Sequence, residues 1–223
     1  MLQYILVGNP FVRSLWTFEA ANANGANIFI FWLAIAAYLN DLFSKPETTG
    51  IPVSLSNKIT LIFNKRYDEF FKHEFYFVTF CLDPCTSLLL LLNVPLCYPG
   101  YPKNRYLKSS FSLPKNPVEG QRPIAYFNAY TRVKAFLKDI LKSIITHIQK
   151  YPNEPVPELF EDMDAQEVVQ EFRRQLDTYW REEHPFQKPL TGNDPLAWWK
   201  GFSMHSDARV LAVSTGYSIC FVD

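Results

Sequence analysis

The sequence predicts an all-α protein, an irregular bundle of about six or seven helices. Hydrophobic residues make up 48% and aromatic residues 16% of the 223 residues, enough apolar surface for a sizeable core. Glycine is scarce (8) and proline frequent (16), which favours helices joined by Pro-rich connections over a β-sandwich with many Gly turns. Apolar residues recur at helical spacing along most of the chain, and no internal repeat is evident.

The first third predicts three helical elements. Residues 11–43 form a helix that is apolar on most sides, and therefore central, with a weak point at Asn22, Asn24 and Gly25. Residues 45–50 read as a loop. A second helix covers residues 54–73, where apolar side chains recur at helical spacing. A third element covers residues 75–92 and is expected to kink or break at Asp83-Pro84.

The middle of the chain predicts a loop and then the clearest amphipathic helix. Residues 93–117 are Pro-rich, basic and aperiodic, which is typical of a long loop or insert. Residues 125–150 follow as a helix, and prolines at 152, 155 and 157 break the chain after it. The expected apolar stripe of this helix is Phe127, Tyr130, Phe136, Leu137, Ile140, Leu141, Ile144 and Ile148.

The last third predicts three further helices. The first of these helices starts at Asp164, where Asp164 and Glu167 have capping-box spacing. Asn193 or Asp194 can cap a short helix that has Pro195 at its first position, and a last apolar helix starts near residue 207. The predicted organisation is a helical scaffold (1–92), the basic loop (93–117), an amphipathic helix with linker (118–160) and a C-terminal helical region (161–223).

Trp198 and Trp199 are adjacent in the short helix. Neighbours on a helix point ~100° apart, so this helix buries two faces. Two interpretations follow. The pair is part of the core of one chain, or it anchors an interface between chains, a role in which Trp is common.

The formal net charge is zero, with 22 basic and 22 acidic residues, but the two signs are separated along the sequence. Residues 103–142 are mainly basic and residues 154–183 mainly acidic, so the two stretches are expected to attract each other as solvated faces. The alternative is a nucleic-acid-binding surface on the basic stretch. Its candidate contacts are Lys103, Arg105, Lys108, Lys115 and Arg122.

Four cysteines and no signal peptide pattern favour an intracellular chain with reduced thiols. The longest apolar run, residues 28–39, is shorter than the ~18–20 residues of a membrane span, so no membrane association is expected. No metal-ligand spacing, phosphate-binding Gly loop or nucleophile elbow occurs, and the four histidines are scattered. The residues alone therefore predict no cofactor, no metal, no small-molecule substrate and no self-sufficient active site.

Several segments in order carry a family resemblance. Leu82-Asp83-Pro84 follows a helical region, and a later set comprises residues 176–179, 194–199 and 208–213. These segments resemble the C-terminal part of hAT-superfamily DNA transposases of the kind common in fungi. The family usually continues its Leu-Asp-Pro element with Arg and then Lys, whereas Cys85 follows here, so this element has drifted.

The resemblance implies a fragment of a ribonuclease-H-like transposase that lacks most of the sheet, a nuclear location and self-association through the C-terminal region. Family transposases cut DNA with three metal-binding carboxylates, and the Glu-Arg-x-Phe-Ser segment that holds the third does not occur after residue 213. The expectation is therefore a non-enzymatic protein that forms a homodimer or pairs with related transposases. The implied interface residues are Leu176, Tyr179, Trp180, Pro195, Leu196, Trp198, Trp199, Val210, Leu211 and Val213.

Three alternatives to a dimerising remnant stay open at this stage. One is the nucleic-acid-binding fragment described above, and another is a residual nuclease. The third is a degenerate reading frame whose helices lack their usual neighbours and fold poorly alone.

Overall fold

The computed structural model describes residues 2–19, 24–84, 127–151, 153, 160, 162–187 and 194–220, and these residues confirm the all-α prediction. The described part forms two compact units. The first consists of the described residues up to Phe80, and the second of residues 81–84 together with those from 127 onward. The helices, numbered in chain order, are α1 (Leu2–Phe18), α2 (Gly25–Ser44), α3 (Pro46–Thr49), α4 (Val53–Phe70), α5 (Phe75–Leu82), α6 (Phe127–Lys150), α7 (Ala165–Trp180), α8 (Pro195–Lys200) and α9 (Arg209–Cys220).

The expected weak point near residue 24 is the start of α2. The Asn24 side chain accepts a hydrogen bond from the backbone N–H of Asn27 at 3.0 Å, which caps the helix. Gly25 follows because a Cβ there would lie 2.6 Å from Oγ1 of Thr79. The prediction that the first helix begins at residue 11 is wrong, because α1 begins at Leu2 and continues through Pro10.

Aromatic rings form the centre of the first unit. Phe29 of α2 is 2% exposed, and its ring centroid lies 5.3 Å from Phe71, 5.8 Å from Phe77 and 4.8 Å from Phe80. Trp32, one helical turn further on, packs against Phe63 of α4 with centroids 5.2 Å apart. Such ring pairs contribute roughly 0.5–1.5 kcal/mol each beyond the area that they bury.

Helix α2 is central, as its composition predicts. Its buried residues are Ala26, Phe29, Leu33, Ile35, Ala36, Leu39 and Leu42. Among the described helices, α2 is the one that is long and apolar enough to span a membrane by length and composition. The apolar run at residues 28–39 did not indicate this, because it covers only part of the helix. Core helices pass the same test, and 39% of the relevant window is buried inside the protein.

A short helix, α3, lies in the segment that the sequence predicts as a loop. Gly50 ends it in a left-handed conformation, with φ of 65°, and its N–H donates to the carbonyl of Pro46. The side chain of Gln3 in α1 donates to the Gly50 carbonyl at 2.6 Å, so this turn also holds the start of α1.

In the second unit, α6 buries part of the apolar stripe that the sequence predicts, and α7 begins where the sequence predicts. The buried face of α6 includes Tyr130, Leu137 and Leu141 of the predicted stripe. It also includes Val133, which the predicted stripe omits. The capping box at the start of α7 is confirmed, because Asp164 accepts from the N–H of Glu167 and Glu167 accepts from the N–H of Asp164. The predicted loop at 93–117 lies outside the described residues.

Candidate functional site

The end of α5 is held by side chains from α7 and α8. Nε1 of Trp199 donates to the Leu82 carbonyl at 2.9 Å, and the Tyr179 hydroxyl donates to the Cys81 carbonyl at 3.3 Å. The last carbonyls of a helix have no partner within the helix. The two aromatic side chains therefore supply the hydrogen bonds that the end of α5 lacks.

The surroundings of Tyr179 keep its hydroxyl neutral. Burial raises the pKa of Tyr179 well above its usual range, and the negative charges that Cys81 and Asp83 would carry raise it further. Asp83 itself is only 5% exposed. The phenol therefore acts as a hydrogen-bond donor over the accessible pH range, which is a structural role.

Local sequence explains how α8 presents its tryptophans. Asp194 caps α8 by accepting from the Ala197 N–H at 3.0 Å, and Pro195 occupies the first turn, both as predicted. Trp199 is 1% exposed in a single chain. The interface role that the resemblance implies for Trp199 is therefore wrong, because α5 and α7 of its own chain cover this side chain.

Trp198 keeps part of its surface open. Its ring meets Trp199 edge to face, with centroids 4.9 Å apart and planes at 89°, and it meets Phe202 at 4.6 Å. Phe186 lies beneath the same cluster, 6.0 Å from Trp199. Trp198 is thus the outer member of a packed aromatic cluster made of Tyr179, Phe186, Trp198, Trp199 and Phe202.

The ten residues implied as an interface divide into two groups. Those buried within their own unit are Leu176, Trp180, Trp199, Val210 and Leu211. Those that keep partial exposure are Tyr179, Pro195, Leu196, Trp198 and Val213. A sequence pattern marks apolar faces but does not distinguish a face that meets its own chain from one that meets another. A contact with a second folded copy can therefore use the second group only.

Gln175 is a structural residue that the sequence reasoning missed. It is completely buried, its amide donates to the Ser206 carbonyl at 3.2 Å, and its carbonyl accepts from the Leu211 N–H at 2.9 Å. It thereby satisfies one of the free N–H groups at the start of α9. Its position three residues after Phe172, in the apolar stripe of α7, is the signal that could have revealed it.

An ion pair next to Gln175 links α7 to the segment before α9. Arg174 donates to Glu171 within α7 and to Oδ1 of Asp207 at 2.9 Å. The hydrogen bond from Arg174 holds the pKa of Glu171 below its ordinary value, against the opposing effect of partial burial.

A second polar link joins α6 to α7. The Tyr130 hydroxyl donates to Asp177, and Nζ of Lys134 lies 2.5 Å from the same hydroxyl. Burial raises the pKa of Tyr130, and the hydrogen bond to Asp177 adds to the effect. Asp177 belongs to residues 176–179, one of the segments that carry the family resemblance. In this chain its carboxylate accepts a hydrogen bond from Tyr130.

The predicted nucleic-acid contacts are not tested by the described part of the chain. All five candidate nucleic-acid contacts, from Lys103 to Arg122, lie outside it. Within the residues described, no three His, Cys, Asp or Glu side chains come together as a metal site, and Cys81 is buried. No family model, curated protein or solved structure matches this chain.

Proposed function

We propose that this chain is a transposase-derived protein that acts by self-association as a homodimer, without catalysis of its own. The observation that carries the proposal is the partial exposure of Trp198, whose ring packs on the buried rings of Phe186, Trp199 and Phe202. The family resemblance adds support, because Leu82, Tyr179 and Trp199 belong to three of its segments and are joined by hydrogen bonds or direct ring packing.

Trp198 has the properties of an interface anchor. Its neighbours Trp199 and Phe202 are 1% and 5% exposed, so the ring sits on a rigid base and loses little side-chain freedom when it binds. Pro195 and Leu196 are partly exposed on the same helix and extend the apolar surface. A twofold contact through this surface would place the same residues of both copies opposite each other.

Light scattering coupled to size-exclusion chromatography of the full chain at tens of micromolar tests the proposal. We expect a mass above that of one chain, and a fall to the monomer mass in Trp198→Glu. Ala197→Glu is the matched control, because residue 197 is exposed on the same helix outside the aromatic cluster. Circular dichroism establishes that each variant is folded. A folded wild-type chain that is strictly monomeric, or an equal effect of both variants, would refute the proposal.

A further inference from the structure

Two rows of cationic side chains meet where α6 packs against α7. Positions four residues apart lie one above the other on the same face of a helix. The row on α6 contains three lysines at this spacing, and the row on α7 and its C-terminal cap has Asp177 between two arginines. The five cations are Lys134, Lys138, Lys142, Arg173 and Arg181. We call them the α6–α7 basic face.

Contacts between the two helices bring these rows together. Nζ of Lys134 lies 3.8 Å from Oδ1 of Asp177, so the lysine row borders the arginine row. Burial and the hydrogen bond to Asp177 raise the pKa of Tyr130, which is four residues before Lys134 on α6. The positive charges of Arg181 and Arg173 oppose that rise, so both arginines lie near this hydroxyl.

Within the described residues, one carboxylate neutralises part of this face. Asp177 is paired with Lys134 and accepts a hydrogen bond from Tyr130. The other four cations of the face form no ion pair in the part of the chain that the structure describes. Like charges one helical turn apart repel, so this arrangement costs stability. A cluster of uncompensated cations of this kind is the electrostatic footprint of an anion-binding surface.

The other carboxylates of α6 and α7 lie away from the face. Glu171 accepts hydrogen bonds from Arg174 and from Gln175, on the side of α7 that approaches the segment before α9. Glu167 belongs to the capping box at the start of α7. Asp139 is five residues after Lys134, which places it about 140° around α6 from that lysine. The face therefore keeps a net positive charge.

We infer that the α6–α7 basic face binds the phosphate backbone of a nucleic acid. Lys134 and Lys142 are eight residues apart, about 12 Å along the axis of α6, a length that fits a chain of phosphates better than a single anion. Exposed neutral side chains that can donate hydrogen bonds to phosphate oxygens lie beside the cations. They are Thr131, Gln166 and Gln170.

The surroundings of the face favour this occupant over an anionic membrane. A helix that lies on a membrane combines basic residues with exposed apolar ones that enter the lipid. None of the large apolar side chains whose burial the structure describes on α6 and α7 is exposed. Contacts to a nucleic acid backbone need charge and hydrogen-bond donors but no apolar insertion.

This site goes beyond the proposed dimer, whose surface lies on α8. It also differs from the candidate contacts at 103–122, because its residues belong to two packed helices of the described part. Arg173 and Arg181 come from the stretch that is mainly acidic in sequence, where no such contact is expected. Oligomeric state and nucleic acid binding are read by separate measurements, so either proposal can fail without the other.

Fluorescence anisotropy of a labelled DNA oligonucleotide, single-stranded or duplex, with the full chain tests the inference. Contacts from the four unpaired cations should make binding weaken on the order of 100-fold between about 50 mM and about 200 mM salt. Lys138→Glu with Arg173→Glu should weaken binding about tenfold or more at the lower salt concentration.

Lys58→Glu with Lys72→Glu is the matched control, because it changes the net charge equally at exposed positions of the first unit and should bind like wild type. Circular dichroism establishes that both double variants are folded. Three results would overturn the inference: a wild-type chain that does not bind at low salt, equal binding by the two variants, or displacement of the DNA by poly-glutamate as readily as by unlabelled DNA. The last result would assign the face to an acidic protein segment.

Discussion

In the first unit, helices meet through aromatic rings, with Phe29 against three other phenylalanines. In the second unit, helices are also joined by side chains that hydrogen-bond to backbone groups, as Gln175 does to Leu211 and Trp199 to Leu82. Ring packing is strong but weakly directional, whereas a buried hydrogen bond requires one partner at one distance. We therefore expect the second unit to tolerate apolar replacements of similar size less well than its apolar content suggests.

The two units also differ in what they expose. The first exposes five apolar side chains of α1, whereas in the second Trp198 is partly exposed on a packed aromatic cluster. A broad apolar surface stabilises an association through the area that it buries. A single rigid ring instead acts as an anchor residue at the centre of an interface. The following substitutions test how the interior of each unit is held together, from the largest expected effect to the smallest.

Replacing Phe29 by Ala should have the largest effect. The side chain is 2% exposed and contacts one ring just after α4 and two rings of α5, so its removal leaves a cavity and should lower the free energy of unfolding by about 3–5 kcal/mol. Urea denaturation followed by circular dichroism measures this. Met204→Ala is the control, because Met204 is 87% exposed and its truncation should change stability by less than about 0.5 kcal/mol. Equal effects of the two variants would contradict an aromatic core in the first unit.

Replacing Gln175 by Leu tests the hydrogen bonds of the second unit. The new side chain is similar in size, but it leaves the buried Leu211 N–H without its partner and removes the hydrogen bond to the carbonyl of Ser206, an exposed residue. We expect a loss of about 3 kcal/mol, since the unpaired buried group costs roughly 1–3 kcal/mol and the lost hydrogen bond roughly 1 kcal/mol more. Gln170→Leu, at an exposed position of the same helix, should be nearly neutral in the same denaturation experiment. A Gln175→Leu variant as stable as wild type would show that ordinary apolar packing suffices here.

Replacing Trp199 by Phe should cost less. The ring volume is largely kept, but the hydrogen bond to the Leu82 carbonyl is lost, so we expect about 2 kcal/mol. Trp198→Phe removes part of a ring that is already partly exposed and should cost under about 1 kcal/mol. Denaturation curves of the two variants measure the difference. If Trp198→Phe were the more destabilising change, the assignment of Trp199 as the inner ring would be wrong.

The helix positions follow largely from local sequence. The start of α4 at Val53 is one residue from the predicted position, and Asp164, Asp194 and Pro195 mark helix starts through their own side chains. The start of α1 was missed because Gly8-Asn9-Pro10 reads as a break, although the helix continues through it. Apolar residues on several sides of α1 also give no single stripe from which a boundary can be located.

The arrangement at the end of α5 could not be derived from sequence. Tyr179 reaches a carbonyl 98 residues away, and Trp199 one 117 residues away. Residue types show that Tyr and Trp need partners for their polar atoms when buried, but they do not show which carbonyl is free. The same limit explains why Trp199 was assigned to an interface, since a buried indole looks alike whether its own chain or a second chain covers it.

The smallest effect concerns pH. The hydrogen bond from Arg174 lowers the pKa of Glu171 in the folded chain below its ordinary value of 4.5. The pair therefore stabilises the fold at neutral pH, and this stabilisation is lost as the pH falls below 4.5 and through the folded-state pKa. Because half of the Arg174 side chain is exposed, Arg174→Gln should lower stability at pH 7 by at most about 1 kcal/mol. Urea midpoints of wild type and Arg174→Gln should differ at pH 7 and converge as the pH falls below the folded-state pKa of Glu171, whereas a difference that does not change with pH would mean that Arg174 acts through packing rather than charge.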